Sequence, residues 1–187
     1  MPFSSNVTCA NPAKLSLTAC GCADIMNVDF INPFVETINN ILATMASMSC
    51  EYGKPYLKQD SHPLGVVTGV IPMSGETVRG SLAISFSAGA IICISTNMLG
   101  EEVKEVDDTC RDLTGELTNM LSGGARKLLW EKGYDFDMAK PGIYSGEGDI
   151  CHDVEAPVIV IPFETKAGPF FIEVALSNKL KRAAVRH

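Results

Sequence analysis

The stretch DDTCRDLTGELTNMLSGGARKLLW, Asp107 to Trp130, decides how this chain is read. Its apolar residues recur at helical spacing, and its polar residues fall on a different stripe. At ~100° per residue, Glu116 lies ~40° from Asp112, and Asn119 ~20° to the other side. Spacings of four and three residues therefore place a carboxylate, a second carboxylate and an amide on one face. Cys110, Leu113, Leu117, Leu121 and Leu128 are centred roughly 140° away, on the face expected to be buried. Gly123 shares the face of Glu116 and Asn119 and leaves it unobstructed. Ser122-Gly123-Gly124 lies within the helical period, so it is a poor phosphate cradle; its small residues suit the close approach of another backbone.

Working outward, the acidic run Glu101 to Asp108 leads into this helix and suits a helix amino terminus. Ala88 to Met98 is a short apolar segment that reads as a buried helix closed by Leu99-Gly100, although periodicity alone also permits a strand. Gly65 to Pro72 and Thr77 to Phe86 are rich in β-branched residues and flank Ser74-Gly75-Glu76, which predicts an antiparallel hairpin. Pro157 to Thr165 and Pro169 to Leu176, joined through Lys166-Ala-Gly168, predict a second. Lys140 to Gly148 is open between strand and loop. A first helix is expected from about Ile31 to Met48, with Pro33 in its first turn and Phe34, Ile38, Ile41, Leu42 and Met45 as its core stripe. Gly53-Lys54-Pro55 ends that region.

Residues 1–27 lack a clear period and are expected to form a loosely ordered extension, leaving 28–187 as a single domain. The element order predicts an α+β fold: a mainly antiparallel sheet covered by helices, with two loosely repeated helix-hairpin units.

Composition narrows the function. A chain of 187 residues, 46% hydrophobic and 20% charged, is globular and can bury a sizeable core. A net charge of -7 disfavours nonspecific attraction to nucleic acid or to an anionic membrane surface. No apolar run approaches the ~18 residues of a membrane span. Leu17-Thr18-Ala19-Cys20 resembles a lipoprotein cleavage box, but the residues before it lack the apolar stretch of about 7–15 residues that a signal peptide needs, so the expected location is the cytoplasm. The cysteines are Cys9, Cys20, Cys22, Cys50, Cys93, Cys110 and Cys151, an odd and scattered set rather than a disulfide framework. Cys50, Cys93 and Cys110 have apolar neighbours and read as small core residues. Cys20-Gly-Cys22 with Cys9 offers thiolates for a soft metal, but nothing in the spacing completes a tetrahedral set.

Signatures of several hydrolase classes are missing. The chain has no Gly-x-x-x-x-Gly-Lys loop, Gly-x-Ser-x-Gly elbow or His-Glu-x-x-His, and its histidines (His62, His152, His187) are dispersed. The polar stripe of Asp107–Trp130 has its own chemistry. A carboxamide has one acceptor oxygen and two donor hydrogens, enough to hold a water in line with an electrophile. A carboxylate one turn away can pair with a lysine on a docked protein. Such a pair suits an enzyme that completes a partner's active site; the plain alternative is a solvated helix face.

The string Asp112-Leu-Thr-Gly-Glu-Leu-Thr-Asn-Met-Leu-Ser-Gly-Gly124 resembles the Asp/Ser-x-x-x-Glu-x-x-Asn mark of the CheC/CheX/FliY chemotaxis phosphatases, and of CheX-like members in particular. The resemblance takes in Asn32-Pro-Phe-Val-Glu-Thr-Ile-Asn-Asn-Ile-Leu-Ala-Thr-Met45, the Arg79-Gly80-Ser81 strand and the Pro157–Phe163 strand. It covers roughly residues 28–178. It implies a CheC-like fold and a hydrolase that dephosphorylates the phosphoaspartate of a CheY-like response regulator. By the resemblance, Asn119 orients the attacking water and Glu116 contacts the partner's lysine. Asp112 has a supporting, partner-binding role. It further implies Mg²⁺ in the regulator, no cofactor of the chain's own, and a homodimer.

Glu36-x-x-Asn39 in the first helix echoes the motif, but Asn32 stands where Asp or Ser is expected and Asn40 blurs the register. One active site per chain is therefore expected, with Glu36 structural. Two rivals remain: a non-catalytic module binding a regulator or a flagellar switch, and a thiol or metal sensor built on the amino-terminal cysteines.

Overall fold

Side chains alternating every second residue divide the central sheet into two faces. In the computed structural model, which describes residues 28–178 apart from 77, 147 and 155, the hairpins are β3 (Val67–Ser74) with β4 (Val78–Phe86) and β7 (Val158–Thr165) with β8 (Gly168–Asn178). Leu82, Ile84 and Phe86 of β4, Phe170, Ile172 and Val174 of β8, and Ile159, Ile161 and Phe163 of β7 all point to one face. There they join the main core with the helices. Phe163 and Phe170 stack at 4.7 Å between ring centroids, and Phe170 also touches Phe86. Each such side chain, fully buried, contributes about 1.5–3 kcal/mol of transfer free energy.

The helices on this face are α1 (Val28–Met45), α2 (Ala88–Leu99) and α3 (Asp108–Glu131). α1 begins and ends earlier than its periodicity predicts, so Pro33 lies in its second turn rather than its first. Its end is set by Ser47, whose φ of 49° is left-handed, while the Ala46 and Met48 N–H groups both return to the Leu42 carbonyl. Met45, expected in the core, is 48% exposed, and Ala46 is buried beside it. α2 resolves as a helix: Ser87 Oγ accepts from the Ala90 N–H, and Gly100, at φ 73°, donates its N–H to the Thr96 carbonyl.

The sheet runs β1 (Glu51–Tyr52), β7, β8, β4, β3, β5 (Asp137–Met138), every pairing antiparallel, with β2 (Tyr56–Leu57) also on β7 and β6 (Gly142–Ser145) also on β3. The short strands β1, β2, β5 and β6 give the expected duplication its form. Each unit has a helix (α1 or α3), two short strands and a hairpin, with α2 lying between the two units. The short strands of the first unit pair with β7 of the second, and those of the second pair with β3 of the first. Lys140 to Gly148, open in sequence, thus contributes β6, which pairs Gly142–Ser145 with Val67–Val70.

The opposite face carries a smaller cluster of Val70, Ala83 and Ile150, together with the buried hydroxyl pair Thr68 and Ser85 at 2.8 Å. The segment containing Ile150 is tied down by its N–H, which donates to the Ser61 carbonyl at 2.9 Å.

Candidate functional site

α3 is launched by Asp107, whose carboxylate accepts from the Cys110 N–H at 3.1 Å and from the Thr109 hydroxyl at 3.3 Å. The Cys110 N–H is the main reason that the Asp107 carboxyl lies below its ordinary range. Arg111 pairs with Asp108 one turn on. Cys110, Leu113, Leu117 and Leu121 are buried as their spacing predicts; near the carboxyl end the stripe continues through Ala125 and Leu129, leaving Leu128 half-buried. Drift of the 3.6-residue period across a helix this long accounts for the change.

Two buried threonines seat this helix. Thr114 and Thr118 donate their hydroxyls to the carbonyls four residues back, at 2.8 and 2.6 Å, so neither leaves a buried donor unmade. Thr118 lies over Gly69 of β3, where a Cβ would stand 2.0 Å from its Oγ1. At Gly124 a Cβ would stand 2.4 Å from Thr37 Cγ2 of α1, so this glycine makes room for a side chain of α1 rather than for another backbone. Sheet and α1 thereby fix which side of α3 is left to solvent.

That side carries the predicted residues. Asp112, Glu116, Asn119 and Gly123 are all exposed. A Cβ at Gly123 would meet nothing within 4 Å. Glu116 and Asn119, three residues apart, have Cβ atoms ~5–6 Å from each other on a regular helix. Among the described residues, no hydrogen bond or ion pair engages the side chain of Asp112, Glu116 or Asn119, which leaves both ends of the amide and both carboxylates available to a docked protein.

The second Glu-x-x-Asn pair differs. Glu36 is exposed rather than part of the packing. Asn39 is held: its Nδ2 donates to the Val35 carbonyl at 2.9 Å, and its Oδ1 accepts from Cys50 Sγ at 3.1 Å. Burial pushes the Cys50 thiol up to about 11, so it stays protonated and can act as that donor at neutral pH. α1 thus presents a carboxylate without a free amide beside it.

Sequence reasoning missed one polar constellation, on the far face of the sheet. Glu173 of β8 is fully buried, and its Oε2 accepts from Lys58 Nζ at 2.6 Å and from His152 Nε2 at 3.1 Å. His152 Nδ1 lies 2.9 Å from Ser81 Oγ. Burial alone would raise the Glu173 carboxyl; hydrogen bonds from His152 and Lys58 and their charges outweigh it and leave the group below its ordinary value. The one available signal was a glutamate inside an apolar strand. Among the described residues, no three His, Cys, Asp or Glu side chains converge as metal ligands. Cys9, Cys20 and Cys22, with the lipoprotein-like box, lie outside the described residues. Among the described residues, no helix is long and apolar enough to cross a membrane.

Comparison with known proteins identifies the family. Residues 67–164 match the family model described as chemotaxis phosphatase CheX. No curated protein gives a match. Among solved structures, a CheC-like superfamily protein from Shewanella sp. PV-4 is 45% identical with a TM-score of 0.76, covering 82% of this chain and 100% of its own. Chemotaxis protein CheX from Vibrio vulnificus is 41% identical with a TM-score of 0.74, covering 80% of this chain and 100% of its own. The CheX of a CheX–CheY–BeF₃–Mg²⁺ complex from Borrelia burgdorferi shares the fold at 22% identity and a TM-score of 0.68, covering 81% of this chain and 100% of its own. The matched family model spans more than half of the sequence, and the two closer structures share the fold over their whole length: the chain belongs to the chemotaxis phosphatase CheX family.

Proposed function

We propose that this protein hydrolyses the phosphoaspartate of a CheY-like response regulator, with Asn119 and Glu116 entering the regulator's active site. The observation that carries the reading is the exposure of both groups, with no intramolecular partner among the described residues, on a helix locked from beneath by Thr118 and Gly69. Family membership supports it, as does the Borrelia burgdorferi relative's complex with CheY, BeF₃ and Mg²⁺.

An acyl phosphate is already labile, so the work lies in placing one water opposite the leaving carboxylate. The Asn119 amide accepts from that water and turns its lone pair toward phosphorus. As the new P–O bond forms, the bond to the aspartyl oxygen breaks; the aspartate carboxylate and inorganic phosphate leave, and the water's proton passes to phosphate oxygen. Glu116 pairs with a lysine of the regulator and fixes the docking geometry, with Asp112 adding negative charge a turn away. Mg²⁺ belongs to the regulator in this scheme. The chain acts in the cytoplasm, as a homodimer.

The deciding experiment is phosphate release from phosphorylated CheY-like regulators with and without the protein. Asn119→Ala is expected to slow release about 100-fold, the scale of losing one positioning contact, while folding normally. A folded Asn119→Ala variant with wild-type turnover would remove the assigned role. Tight binding of a phosphorylated regulator with no gain in release would favour a non-catalytic binding module.

A further inference from the structure

Trp130 is the only tryptophan of the chain and is 65% exposed, an unusual state for a side chain that is largely buried in most proteins. Its place on α3 is specific. Eighteen residues, each rotated by ~100°, complete five full turns, so Trp130 returns to the azimuth of Asp112. The exposed stripe therefore runs without a break from Asp112 through Glu116, Asn119 and Gly123 to Trp130. At ~1.5 Å per residue it is ~27 Å long, with Trp130 ~16 Å beyond Asn119.

Charge along the stripe is polarised. Asp112 and Glu116 occupy one end, while Arg126 and Lys127, both exposed, flank Trp130 at the other. Arg126 is held in place by Asp137 at 2.8 Å, which steadies the helix surface beside the indole. A standard protein interface of ~800 Å² per partner is a patch about 30 Å across, enough to cover the whole stripe. Tryptophan and arginine are the residues most often found to anchor such patches.

We propose that Trp130 is a docking anchor for the phosphorylated regulator, seated against an apolar patch rimmed by carboxylate that faces Lys127. It positions the partner and takes no part in the chemistry. The inference rests on the phosphatase reading above and deepens it: Asn119 governs turnover, and Trp130 governs how tightly and in which orientation the substrate protein is held.

The test uses the full chain and the CheY-like regulator that it dephosphorylates in the release assay. Trp130→Ala is expected to raise KM about tenfold while kcat falls less than twofold, with Trp130→Phe recovering most of the loss. Titration of the wild type with that regulator, loaded with BeF₃ and Mg²⁺, should shift the indole emission; subtracting the Trp130→Phe titration removes the regulator's own signal. A KM within twofold of wild type for a folded Trp130→Ala variant, or an emission that the loaded regulator leaves unmoved, overturns the proposal. So does sedimentation showing that Trp130→Ala converts a dimer to a monomer without changing KM, since a second copy would then cover the face. Loss of turnover in Asn119→Ala beside an unchanged KM in Trp130→Ala would sink the anchor and leave the phosphatase standing. If no regulator is dephosphorylated, the phosphatase reading fails, and the emission titration across loaded CheY-like regulators still decides the anchor.

Discussion

Thr118 rests on Gly69 so closely that any Cβ at position 69 would stand 2.0 Å from its Oγ1. Thr118 immediately precedes Asn119, so the contact that seats the helix on the sheet also sets the height of the proposed water-orienting amide. The site is built from the inside: a buried hydroxyl bonded to the Thr114 carbonyl, a strand glycine beneath it, and the working residue on the outer side.

Gly69→Ala is therefore expected to lift α3 from β3. Overpacking of this kind costs about 1–3 kcal/mol, read as a lower urea midpoint at unchanged slope. Phosphate release should fall as well, because the amide moves with its helix. An unchanged midpoint would show that the contact yields without cost.

Glu116→Ala should leave stability within about 0.5 kcal/mol, since the side chain is exposed and makes no hydrogen bond or ion pair among the described residues. Its effect belongs in the enzyme–regulator encounter: KM rises, and steepens its dependence on salt less than in the wild type, because one charge pair is gone. Steady-state kinetics at two ionic strengths checks both parts.

The two Glu-x-x-Asn pairs should separate cleanly. Glu36→Ala is expected to leave phosphate release unchanged. Asn39→Ala removes the partner of the Val35 carbonyl and of Cys50 Sγ and should cost about 1 kcal/mol of stability, again with turnover intact. Loss of turnover in a folded Glu36→Ala variant would reveal a second site on α1.

The Lys58–Glu173–His152 cluster predicts an acid-sensitive sheet. Glu173 is held below its ordinary value in the folded state, so the native protein binds fewer protons there than the unfolded chain. Its contribution is complete above the unfolded glutamate pKa of about 4.3 and is lost as pH falls through the lower, folded value. Urea titrations from neutral pH into that acidic range should show stability declining, with a shallower decline in Glu173→Gln. That variant should also be less stable at pH 7 by about 3–5 kcal/mol, because Lys58 is left buried without its counter-charge. A slope equal to the wild type's would assign the acid sensitivity to other carboxylates.

Much of this organisation is legible in one dimension. The two hairpins show in their β-branched runs and turn residues, and α3 shows in its two faces, because both depend on periodicity within a single segment. The Asp112, Glu116 and Asn119 stripe is visible for the same reason: side chains three and four residues apart share a helix face whatever surrounds them. Three of the short strands, β1, β2 and β5, carry no signal, since two residues have no period and are strands only because β7 and β3 offer them free edges; the four-residue β6 lies in a segment that the sequence leaves open between strand and loop. The end of α1 was misplaced because the left-handed turn at Ser47 uses no glycine to announce it.

The sequence by itself determined that one helix would expose a carboxylate and an amide opposite an apolar stripe. Only the tertiary structure decided which Glu-x-x-Asn pair keeps its amide free: Cys50 folds back to occupy Asn39, whereas Asn119 faces away from every packed element. Tertiary structure alone also gathered Lys58, Ser81, His152 and Glu173 from distant parts of the chain. Helix amphipathicity is a local property of spacing, but burial and pairing depend on neighbours that long-range strand register brings together.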